Sequence, residues 1–169
     1  MRKVFTAVFA CLTLFVMCFI FWQSAQTGER SSRQSAQVTE IVAPVVVPDY
    51  PKLDAPQQQT VRVTLEAKLR TFAHAFEFAA LGACAVLCFC TPRSRRFPRP
   101  ARGCAAFLFA VLYAVSDEWH QLFVGGRAFE WQDVGTDAVG ALAGCLAAYG
   151  LLCLAEWIAS RRKASRAEG

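Results

Sequence analysis

Ser116-Asp117-Glu118-Trp119-His120-Gln121-Leu122-Phe123-Val124-Gly125-Gly126-Arg127, followed by Asp133 and Asp137, closes an otherwise apolar run with carboxylates, an imidazole and an amide. An ionisable side chain near a bilayer centre costs about 2.5–3.5 kcal/mol on insertion scales, and less toward the interface. Groups on other elements at the same depth must offset that cost. The rest of the chain supplies them only if it folds as a bundle of membrane helices.

Apolar residues make up 55% of the 169 residues and come in long blocks with the charges between them, which favours a small multi-spanning membrane protein over a soluble domain. Val4 to Trp22 is a run of 19 uncharged residues, close to the length that crosses a hydrocarbon core of about 30 Å. It exceeds the usual core of a signal peptide, and Gln23-Ser24-Ala25 is a poor cleavage site, so it reads as an uncleaved first span. Thr71 to Cys90, Gly103 to Phe123 and Ala138 to Ile158 make three more. The expected fold is an all-α integral membrane bundle of four transmembrane helices, one domain over 1–169, with no internal repeat.

Between the first two spans, residues 23–70 read as an extracytoplasmic loop. Pro44, Pro48, Pro51 and Pro56 argue against a continuous helix through 44–56, whereas Val61 to Arg70 suits a short interfacial helix. Short-loop basic residues set the orientation. Arg2 and Lys3, the segment with Arg93, Arg95, Arg96, Arg99 and Arg102, and the tail with Arg161, Arg162, Lys163 and Arg166 are basic. The segment after the third span has one arginine against three acids, so both termini are expected in the cytoplasm.

The net charge of +5 therefore points to an anionic membrane face, and the absence of aromatic-basic interleaving argues against nucleic acid. The eight cysteines, all in or beside apolar blocks and without a Cys-x-x-Cys pair, read as small buried hydrophobes. Trp22, Trp119, Trp131 and Trp157 fall near span ends, where aromatic side chains anchor helices at the interface.

Counting about 1.5 Å per residue, Glu77 and His74 lie roughly 20 and 24 Å above Cys90, and Asp117 and His120 roughly 21 and 26 Å above Gly103. All four belong to the outer third of the membrane. His74 and Glu77 share a helix face, as do Asp117, His120 and Gln121, while Glu118 points about 100° away from Asp117. Asp137 begins a stripe with Gly140 and Gly144 that allows close helix approach. Arg70, Arg127 and Asp133 flank the cluster from the aqueous side.

Two accounts of this cluster stand. In one, the acids pair with Arg70 and Arg127 and the histidines bond between helices, so that a non-catalytic accessory protein is merely held together. In the other the cluster is a site. His74, Glu77, Asp117, Glu118 and His120 are then the candidate acid/base set, and Arg70, Gln121, Arg127, Asp133, Asp137 and Ser24 the candidate binding set. Phosphate recognition by Arg70 and Arg127 ranks first, acid/base chemistry second and a metal third, because His-x-x-Glu is half of a zinc constellation. No metal is assigned and no cofactor is implied. The expected partners are membrane lipids or a lipid-linked anionic cell-wall precursor.

The segment Arg70-Thr-Phe-Ala-His74-Ala-Phe-Glu77-Phe78 resembles the Arg-Lys-x-Ala-His-Phe-x-Glu-Tyr motif of the VanZ-like family. Tyr113 through Arg127 with Asp133, Asp137, Gly140 and Gly144 is similar to that family's second motif, and Phe21 to Gly28 to its opening signature. Thr71 stands where a lysine is usual, Ala75 where an aromatic is, and Gly125 where a proline is common. The resemblance implies a multi-pass protein of the bacterial cell membrane, in a family associated with resistance to the glycopeptide teicoplanin. It supplies no reaction.

Overall fold

A computed structural model describes residues 2–90 and 97–165. Arg93, Arg95, Arg96 and Arg166 of the basic set lie outside the described residues. The described residues are all-α, with five helices: α1 (Arg2–Ser24), α2 (Gly28–Val46), α3 (Ala55–Phe89), α4 (Arg99–Gln121) and α5 (Trp131–Ser165), plus a single 3-10 turn at Tyr50–Lys52.

Three helices, α1, α3 and α5, are long and apolar enough to cross a membrane, one fewer than the sequence reading expects. The fourth expected span is α4, a regular helix of 23 residues that carries Arg99 and Arg102 in its first turns and Asp117 and Glu118 near its end. Charge at both ends dilutes its apolar stretch. The helix also ends at Gln121, so Leu122 and Phe123 belong to the following turn.

The segment 23–70 is not a loop. Thr27 caps α2 by accepting from the Arg30 backbone N–H, and Arg33 pairs with Glu29 one turn along. Pro44 is tolerated in the last turn of α2, and the chain then breaks before Asp54 opens α3 with a capping box to Gln57. The break at the prolines is as expected. The helix before it was hidden by its polar composition, and α2 is held by packing Thr39 and Ala43 against α3.

At about 1.5 Å per residue, the 35 residues of α3 extend roughly 52 Å, well beyond a hydrocarbon core of about 30 Å. Its first turns therefore stand outside the apolar layer and carry α2. Helices α3 and α5 form the main seam. A Cβ on Gly140 or Gly144 would collide with the backbone of Ala75 or Ala79, and one on Gly82 with Ala141. The small-residue stripe expected at Asp137, Gly140 and Gly144 is thus the face that packs.

Two apolar layers fill the bundle. Ile20, Phe78, Leu81, Ala110, Ala114 and Ala141 form the middle one, and Ala85, Val86, Ala106 and Cys145 the one nearer the Cys90 end. At that end Arg99 and Glu156 make a double ion pair joining the start of α4 to the last turns of α5. Of the eight cysteines, expected as buried hydrophobes, only Cys90 and Cys145 are buried; Cys84 and Cys88 are half-buried, and Cys11, Cys18, Cys104 and Cys153 are exposed on the helix exteriors. The four tryptophans are exposed, as interfacial anchors are.

At the opposite end the 122–130 segment folds back onto the start of α2. The Gly28 N–H donates to the Gly125 carbonyl at 3.1 Å, and Gly126 takes φ +75°, a conformation natural to glycine. Gly28 has no room for a Cβ against the Gly126 backbone. Gly28→Val is expected to destabilise the protein by about 1–3 kcal/mol and to speed hydrogen exchange in 122–130 selectively. Unchanged exchange in that segment would mean the contact is not maintained in solution.

Candidate functional site

The polar residues meet at the end of the bundle opposite the Arg99–Glu156 pair. Asp117 and Glu118 are both buried, with 2% and 0% of their surface exposed. As their angular separation implies, they face different elements. Asp117 accepts a 2.6 Å hydrogen bond from the Ser24 hydroxyl at the end of α1, and Glu118 accepts from the Glu130 backbone N–H at the threshold of α5. Gln121 links the pair, donating to Glu118 at 2.7 Å and to Asp117 at 3.5 Å. Its carbonyl accepts from Arg127 at 3.4 Å.

Across the seam, His74 of α3 faces Asp137 of α5. The gap from Nδ1 to Oδ1 is 3.8 Å, an ion-pair distance too long for a hydrogen bond. Glu77 and Asp117 are its other electrostatic neighbours. Asp137 is fully buried and neither of its oxygens accepts a hydrogen bond. A cavity of about 20 Å³, the size of one water molecule, lies between His74, Asp137, Arg70, Thr71, Asp133 and Thr136.

His120 stands apart. It shares the α4 face of Asp117, but its ring packs on Phe21 at 4.4 Å between centroids, and its Nδ1 is buried without a hydrogen-bond partner among the described residues. Ser24 is likewise spent on Asp117.

The two arginines are not paired with the acids. Arg70 donates to the Ser32 hydroxyl at 3.2 Å and Arg127 to Gln121, and no carboxylate among the described residues lies within 4.0 Å of either guanidinium. The Nε of each is buried without a partner. The pairing of acids with Arg70 and Arg127 that the structural account of the cluster invokes therefore does not occur among the described residues. In the 122–130 segment, burial pushes the Arg127 guanidinium below its usual range, and nearby Arg70 pushes it the same way against the pull of Glu118, Asp117 and Asp133. Two neighbouring cations, one of them desolvated, sit without a bound counter-charge.

Both cations line one groove of about 810 Å³ between α2, α3 and α5. Gln23, Ser31, Gln34 and Ser35 add polar groups near them, His74 and Glu77 share the wall, and Phe72, Phe76, Val139 and Ala143 complete it. The contributions of Ser31, Gln34 and Ser35 were invisible in sequence because α2 was not recognised as a helix. The cap at Thr27 with the Glu29–Arg33 pair is the signal that could have found it. Among the described residues no group of three histidine, cysteine or acidic side chains is placed to hold a metal ion.

The family model described as VanZ/LLP1 matches residues 9–154, a stretch that includes every residue of this site. No curated protein and no solved structure matches the chain.

Proposed function

The chain belongs to the VanZ/LLP1 family, and from that premise we propose that it is a multi-pass protein of the bacterial cell envelope that binds an anionic component there. The ligand class is a phosphate-bearing lipid headgroup or cell-wall precursor, and through it the protein contributes to glycopeptide resistance. Helices α1, α3, α4 and α5 span the membrane with both termini in the cytoplasm. Arg99, Arg102, Arg161, Arg162 and Lys163 gather at the end away from the site, which favours an outward-facing groove.

One observation carries this reading: Arg70 and Arg127 face a common groove, near each other, and neither is neutralised by a carboxylate. Guanidinium forks suit phosphate oxygens, and an anion between them would relieve their repulsion. Two of the acids are committed elsewhere: Asp117 and Glu118 tie α1, α4 and the start of α5 together and act as structure, while Glu77 stays on the groove wall beside His74. His74, which borders the groove beside Glu77 and Asp137, is the group best placed for acid/base chemistry on a bound ligand.

The test is native mass spectrometry of the full-length protein extracted in mild detergent. Losing one charge-assisted contact of about 1.5–3 kcal/mol predicts at least about tenfold less co-purifying phosphate-bearing ligand in Arg127→Ala than in the wild type. Equal retention would overturn the reading. The accessory-protein alternative, favoured by the Ser24–Asp117 bond, expects Arg127→Ala to change only thermal stability.

A further inference from the structure

Resting on the anion-binding reading above, we infer that the occupant of the groove is a single membrane lipid that enters sideways from the outer leaflet and keeps its chain in the groove. The groove is amphipathic along its length. Arg127, Arg70 and the α2 groups Gln34 and Ser35 line its polar part, His74 and Glu77 follow along α3, and Phe72, Phe76, Val139 and Ala143 make its apolar wall. From Arg70 to Ala79, both in its lining, α3 descends roughly 13 Å. That path runs from beyond the apolar layer into it. A soluble anion would use the first part and leave the second bare.

The apolar lining also lies on the outer surface of the bundle. Phe72 is 71% exposed, Phe76 77% and Val139 68%. These side chains face the place where lipid tails lie, so a ligand carrying a chain need not leave the membrane to bind. The volume of about 810 Å³ falls in the range of small-molecule sites, roughly 300–1,000 Å³. It holds a phosphate headgroup and part of one chain, with the remainder of the chain in the bilayer. Charge selects the head: two unpaired guanidiniums favour an anionic lipid over a zwitterionic one.

The experiment titrates the full-length, delipidated protein in neutral detergent with phosphatidylglycerol and, separately, with glycerol phosphate, its soluble head. Wild-type protein is expected to bind the lipid at least tenfold more tightly than the soluble compound. Val139→Trp and Ala143→Trp, both on the outer surface and clear of the helix seam, fill the apolar part. They are expected to weaken lipid binding about tenfold and to leave glycerol phosphate binding unchanged, whereas Arg127→Ala weakens both. Glycerol phosphate binding as tightly as the lipid, or tryptophan variants that bind lipid like the wild type, would overturn the inference while leaving the anion site standing. Indifference of both ligands to Arg127→Ala would remove the anion site itself.

Discussion

Gly144→Leu is expected to abolish the folded protein, leaving aggregate and no cooperative melting transition in detergent. Gly144 and Gly140 bring the backbone of α5 against that of α3 at Ala79 and Ala75, and the colliding atoms are main-chain ones that cannot rotate away. Overpacking inside a well-packed core usually costs about 1–3 kcal/mol because side chains adjust. Here the two helices must separate along their length, and the gap would also part His74 from Asp137. Gly150→Leu provides the control, since a Cβ at Gly150 meets nothing within 4 Å. Its melting temperature should match the wild type. A Gly144→Leu protein that melts normally would show that the seam is looser than the helix contact implies.

Replacing Glu118 should produce the second large effect. Its two oxygens accept from Gln121 and from the Glu130 N–H, so Glu118→Leu takes the acceptor from two donors, one buried and one part-buried. Each unsatisfied donor costs about 1–3 kcal/mol, so the loss is expected to approach a large share of a domain's stability of about 5–15 kcal/mol. Glu118→Gln keeps one acceptor and presents an amide to the other donor, so its melting temperature should fall between those of the wild type and Glu118→Leu. Ligand retention should follow the same order, because Arg127 is carried on the segment that Glu118 secures. Equal stability of all three proteins would show that the Glu118 carboxylate holds nothing.

The parts of this fold that could be read from sequence are those in which one physical cause dominates. Long uncharged runs mark α1, α3 and α5 because hydrocarbon tolerates little else. Helical spacing placed His74 and Glu77 on one face, and the glycine stripe put Asp137 on the packed side, so their meeting was foreseeable from α3 and α5 alone. Spacing could not say what else competes for a side chain. His120 has the right offset from Asp117 but is taken by the Phe21 ring, and Ser24 by Asp117 itself. Nor could composition reveal α2, whose stability comes from burying Thr39 and Ala43 against another helix. Depth left open whether Arg70 and Arg127 pair with the acids, since it does not decide what each guanidinium meets; they bond to Ser32 and Gln121 instead.

The length of α3 has a mechanical consequence. An unbroken helix is stiff, and this one projects about 20 Å beyond the apolar layer by the same estimate that gives its total length. It is a lever. The fulcrum is the crossing where Gly140 and Gly144 press on Ala75 and Ala79, the long arm is loaded by α2 and by Tyr50, whose hydroxyl accepts from Arg62, and Arg70 rides just above the pivot. A tilt of the projecting part of α3 about this crossing therefore moves Arg70 relative to Arg127, which bonds to Gln121 at the end of α4, so the spacing of the two cations follows the angle between α3 and α4.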